Sequence, residues 1–100
     1  MIFQNDPFTI VDKAFKALYP DKTYTVCWGE MSNGYGYTAI EETPPMIVLS
    51  TELPIKHAVE IFAHELAHVA EPQEGHSEKW EAAFYAIYKK YNDLIYGERN

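Results

Sequence analysis

Apolar residues recur every three to four positions in three stretches of this chain and gather into short runs in three others. Asp6-Pro7 reads as a helix N-cap followed by proline at the first helical position, and Phe8, Val11, Phe15 and Leu18 then follow at helical spacing as far as Tyr19-Pro20. Thr23-Tyr24-Thr25-Val26-Cys27-Trp28 is β-branched and aromatic, which suits a strand. A second such run, Tyr35 to Ile40, comes after Ser32-Asn33-Gly34, and the asparagine–glycine pair predicts an antiparallel hairpin. Met46-Ile47-Val48-Leu49-Ser50, short, apolar and preceded by Pro44-Pro45, predicts a third strand at an edge of the sheet.

From Pro54 to Glu71 no breaker interrupts the chain, and 100° spacing puts Ile55, Ala58, Val59, Phe62, Leu66 and Val69 on one helical face. Pro72 stops that helix. After a loop through Gly75, Ser77 can cap a last helix whose first turn holds Glu78 and Glu81 and whose apolar stripe is Trp80, Phe84, Ile87, Tyr88, Tyr91, Leu94 and Ile95. The order helix, three strands, two helices predicts an α+β fold, with the helices packed on one face of a small three-stranded antiparallel sheet.

Length and charge narrow the function. One hundred residues make a single domain over 1–100, which hides only about two thirds of its unfolded surface and needs a compact core or a staple. Cys27, alone, excludes an intramolecular disulfide. Fifteen acidic against eight basic residues give a formal charge of −7, so nucleic acid is not an expected partner. No run approaches the roughly 18 apolar residues of a membrane span, and Met1 to Asp6 lacks the charged start of an export signal; no membrane association and a cytoplasmic location are expected.

His64-Glu65-Leu66-Ala67-His68 is an H-E-x-x-H motif inside the second predicted helix, where its chemistry requires it. At spacing i, i+4 the two imidazoles lie about 40° apart around the axis and one turn apart along it, so both can reach one zinc ion at roughly 2.0–2.1 Å. They lie opposite Phe62, on a face of their own, and Glu65 is placed to act on a water as general base. A catalytic zinc takes three protein ligands and keeps a position for water. His76, past the Pro72 break and Gly75, is the leading third ligand; Glu71, Glu74, Glu78 and Glu81 are rivals. His57 is about 10 Å along the axis from His64 and cannot share that metal; it is an exposed histidine or a substrate-groove residue. Tyr85, Tyr88 and Tyr91 are either packed aromatics or donors to an oxyanion.

From Tyr37 to Phe84 the chain resembles the SprT-like and related minimal zinc metallopeptidases of the zincin group. The likeness rests on Ile47-Val48-Leu49-Ser50, Leu53, Phe62-Ala63-His64-Glu65-Leu66-Ala67-His68-Val69 and Gly75-His76-Ser77-Glu78-Lys79-Trp80. It implies a minimal zincin-like domain in which His64, His68 and His76 bind zinc, Glu65 is the base, and the strand Met46 to Ser50 borders the substrate cleft, its edge pairing with a peptide. The expected activity is then hydrolysis of peptide or protein substrates. Two alternatives stay open: a noncatalytic protein-binding module that zinc stabilises, and a zinc hydrolase of nonpeptide amides.

Overall fold

The computed structural model describes residues 7–72 and 75–96; the Asp6 cap, Glu74 and the side chain of Ile55 lie outside the described residues. Helix α1 spans Pro7–Leu18, strands β1, β2 and β3 span Thr25–Gly29, Gly36–Ala39 and Met46–Ser50, a 3-10 turn covers Ile55–His57, and helices α2 and α3 span Ala58–Ala70 and Glu78–Tyr96. The architecture is α+β, in the expected order.

The sheet departs from expectation. Its order is β1-β3-β2, with β3 in the centre, parallel to β1 and antiparallel to β2. The antiparallel sheet with a β1–β2 hairpin and β3 at an edge is therefore corrected to a mixed sheet, and the hairpin joins β2 to β3. The cause lies in β3 itself. Ile47, Val48, Leu49 and Ser50 are all buried, and an apolar run without alternation marks a strand covered on both faces. β1 is mostly exposed, and β2 is exposed at Tyr37, half-buried at Gly36 and Thr38 and buried at Ala39. Pro45 precedes the ladder and contributes only its carbonyl, which accepts the Thr25 N–H at 2.9 Å, so no ladder donor is lost. Asn33-Gly34 does turn the chain, with Gly34 at φ 74°, but within a longer connection that carries β2 to the far side of β3.

Register sets the faces. Trp28 and Gly36 both pair with Leu49, and Val26 and Thr38 both pair with Ile47; side-by-side residues share a face. Ile47 and Leu49 belong to the core with Phe62, Leu66 and Val69 of α2, so Gly36 and Thr38 are turned toward that helix. Of the helices only α2 brings its backbone close to the sheet; α1 and α3 pack on α2 and on each other.

Each helix follows its sequence with small shifts. α1 buries Ile10, Val11, Ala14 and Phe15, whereas Leu18, at the end of the predicted stripe, is exposed. The second helix starts later than Pro54, because the Pro54 carbonyl accepts the His57 N–H at 3.0 Å and closes a 3-10 turn first. It ends at Glu71, whose N–H bonds to the Ala67 carbonyl at 2.9 Å, just before Pro72. α3 carries the predicted cap: the Ser77 hydroxyl accepts the Trp80 N–H at 3.2 Å. Trp80, Ala83 and Ile87 are its buried residues, with Phe84 and Tyr91 at the margin of the core. No helix among the described residues is long and apolar enough to cross a membrane.

A central β3 makes a measurable demand. Leu49 is 1% exposed, so Leu49→Ala should destabilise the chain by about 2–5 kcal/mol in urea unfolding. A cost under about 1 kcal/mol, the range of an exposed edge position, contradicts the central placement.

Candidate metal centre

His64 and His68 stand one turn apart on α2, half-buried, with ring centroids 5.2 Å apart. His76 arrives from the connection to α3. Gly75 holds a φ of 84° directly before it, a conformation that glycine adopts without strain, and the Ser77 cap directly after it fixes where α3 begins. His76 thereby comes to 4.9 Å from the His64 ring and 5.2 Å from the His68 ring, and one donor nitrogen from each of the three lies within 4.8 Å of the others. Three imidazoles so converged suit the chemistry of a zinc site. Of the rival ligands, Glu71, Glu78 and Glu81 do not join the group among the described residues.

Trp80 backs the cluster. Its buried ring lies 4.7, 5.4 and 4.3 Å from those of His64, His68 and His76, and its indole N–H donates to the His64 carbonyl at 3.3 Å. Phe84 stacks on its far side at 5.5 Å.

Glu65 faces the sheet and is only 5% exposed. Thr38 Oγ1 donates to its carboxylate Oε1 at 2.8 Å and lies 3.1 Å from the Glu65 carbonyl oxygen. Gly36, two residues earlier on β2, makes room: a Cβ there would sit 3.3 Å from Glu65 Cγ and 3.4 Å from Oε2. Burial pushes the Glu65 carboxyl above the usual carboxylate range, and the Thr38 hydrogen bond opposes it. Burial lowers His64, as does His76, with Glu60 opposing. His68 drops from 6.5 to about 4, through burial first and then the neighbouring His64 and His76. Neutral imidazoles keep the lone pairs that a metal needs.

Two cavities open here. One of about 410 Å³ is lined by Gly36, Thr38, Glu41, His64, Glu65 and His68. The other, about 240 Å³, shares Gly36, His64 and Glu65 with it and extends to Tyr35, Glu60 and Ile61. The strand bordering both is β2, so the expectation that Met46–Ser50 offers a free edge is corrected: β3 is paired on both sides. His57 is exposed at the start of α2, outside the cluster. Tyr85, Tyr88 and Tyr91 line neither cavity. A further cavity of about 460 Å³, beside Phe8, Tyr24 and Phe62, contains no histidine, and its Asp12 is engaged by the Tyr24 hydroxyl and by Lys16 at 3.0 Å. Gly36, Thr38 and the backing role of Trp80 had no motif to announce them; only the α2 packing of β2 and α3 brings them to the site.

No protein-family model and no curated protein sequence matches the chain. Among solved structures, the crystal structure of the metallopeptidase zymogen of Pyrococcus abyssi, abylysin, is similar over 93% of this chain and 94% of that one, with a TM-score of 0.67 and 17% sequence identity. The fold is thus shared with a metallopeptidase.

The electrostatics predict an acid sensitivity of the metal-free chain. Between pH 6.5 and about 4 the unfolded chain protonates the residue at position 68 and the folded one does not, so its contribution to stability is lost as pH falls through that window. Glu65 works the other way, its raised folded value favouring the folded state as it protonates. Between pH 7 and pH 4.5 the melting temperature of the metal-free His68→Gln variant should fall less, or rise more, than that of the parent; an equal pH dependence in the two contradicts the assignment.

Proposed function

We propose that the chain is a zinc-dependent metallopeptidase of the H-E-x-x-H kind, with His64, His68 and His76 as metal ligands and Glu65 as general base. The observation that carries this reading is the meeting of three converged imidazoles and one buried carboxylate at cavities bordered by β2, whose outer side no strand among the described residues pairs. When bound, zinc supplies a Lewis acid that lowers the pKa of water toward about 7 and polarises a carbonyl. Glu65 then takes the proton of the attacking water and returns it to the departing amine. The outer side of β2 offers backbone N–H and C=O groups to an extended peptide, which binds it by main-chain pairing. The SprT-like resemblance of the motif segments agrees with this assignment.

Two observations weigh against the alternatives. A structural zinc site is closed by four protein donors, whereas the described residues supply three, beside a cavity; this favours a hydrolase over a zinc-stabilised binding module. A hydrolase of small nonpeptide amides has no use for a strand edge along its cleft, and a peptidase has.

The test separates metal from chemistry. Glu65→Gln should keep the fold and one zinc per chain while lowering peptide turnover by at least about 10²-fold, since the amide cannot take up the proton. His76→Ala should lose zinc affinity and turnover together. Full turnover in Glu65→Gln, or undiminished zinc affinity in His76→Ala, contradicts the respective assignment; a zinc-loaded parent that cleaves no peptide favours the binding module.

Nucleic acid is not among the partners of this reading. The eight basic residues include only one adjacent pair, Lys89-Lys90, and fifteen carboxylates accompany them, so the counterion release that drives DNA binding is small. Labelled single- and double-stranded DNA should show no micromolar binding at physiological salt, and a salt-sensitive complex of that strength contradicts this.

A further inference from the structure

We propose that Thr38 is a positioning residue for Glu65, its hydroxyl fixing the carboxylate from the strand that borders the cleft. The inference rests on the reading of Glu65 as general base. A hydroxyl has one proton to give. Of its two acceptors the Glu65 carboxylate oxygen Oε1, at 2.8 Å, is nearer and charged, and the Glu65 carbonyl lies at 3.1 Å. No other side chain among the described residues donates to that carboxylate.

The two oxygens therefore have different surroundings. Oε1 is tethered, whereas Oε2 lies toward Gly36, which presents no side chain. A glutamate has three rotatable side-chain bonds, and a free one samples many rotamers. Held at Oε1 by Thr38, with Gly36 leaving free the space that its Cγ and Oε2 border, this one keeps a single setting beside the histidines. The tether and the space come from alternate residues of β2, on the face turned toward α2. A peptide paired along β2 is thus placed by the same strand that places the base, so the relative position of carbonyl and carboxylate is set by one rigid element. Draining polarity from Thr38 should leave substrate binding intact and spoil only that alignment.

The experiment compares the zinc-loaded chain with Thr38→Val, which keeps the shape and removes the donor, and Thr38→Ser, which keeps the donor. Thr38→Val should lose about 10- to 100-fold in kcat with KM and zinc content within about twofold, and Thr38→Ser should stay within about threefold of the parent. Unchanged kcat in Thr38→Val overturns the proposal, as does a Thr38→Ser as slow as Thr38→Val. Should Thr38→Val not fold, Thr38→Ala is compared with Thr38→Ser in its place. A second readout needs no turnover: carbon-13 relaxation of the Glu65 side chain in the metal-free chain should show an ordered methylene in the parent and in Thr38→Ser, and a mobile one in Thr38→Val. Equal order in all three overturns the tether. A parent that cleaves nothing yet loses Glu65 order in Thr38→Val refutes the peptidase reading and supports the tether; cleavage indifferent to the hydroxyl does the reverse.

Discussion

A carboxyl group buried between a helix and a sheet is the constraint around which the molecule is arranged. Left without a partner in apolar surroundings, an ionised carboxylate costs so much that it neutralises instead. Glu65 sits in the middle of a helix whose neighbouring residues Leu66 and Ala67 are fully buried, and nothing on α2 itself satisfies it. The partner has to come from another element at the height of the histidine turn. β2 supplies it through Thr38 and can come close enough only because Gly36 has no side chain. With β2 on this side of β3, that demand is met.

The chain is too small to separate core from site. α2 carries Phe62, Leu66 and Val69 toward the core and His64 and His68 toward the cavity, within two turns. Trp80 serves both roles at once: it is a buried residue of the core cluster and the wall against which three imidazoles lie. The serine that caps α3 directly follows His76, so the start of a helix also fixes where that imidazole sits. In such a fold, a metal ion held by the three imidazoles of the folded state alone would also shift the folding equilibrium by mass action.

This economy explains what the sequence discloses and what it withholds. The spacing of His64 and His68 is local, so a helical pattern suffices to read it, and Ser77 could be read as a cap for the same reason. His76 was recognisable because a proline and a glycine free the chain to turn back before it. Strand order is not local. The Asn33-Gly34 pair suggested a hairpin between β1 and β2, while the stronger signal, the unbroken apolar run Ile47-Val48-Leu49, belonged to a central strand. Thr38 and Gly36 carry no signature at all, since their importance arises from their nearness to Glu65, which is 27 positions from Thr38 along the chain and farther still from Gly36.

The corrected topology also decides which edge of the sheet meets the chemistry. Among the described residues neither outer strand has a partner on its outer side, and both expose large side chains: Trp28 on β1 is 55% exposed and Tyr37 on β2 is 48% exposed. An edge by itself invites any extended segment, without selectivity. Beside β1 the neighbouring cavity holds aromatic rings and an Asp12 already engaged by Tyr24 and Lys16, so a segment docked there meets no histidine and no free carboxylate. Beside β2 the same kind of edge runs past Glu65 and two histidines. With β3 at the sheet's edge, as the sequence pattern suggested, the most apolar strand would have faced the cleft and Glu65 would have lacked its donor. Placing β3 in the centre buries the apolar strand on both faces and leaves the polar strand, with its glycine and its hydroxyl, to border the site.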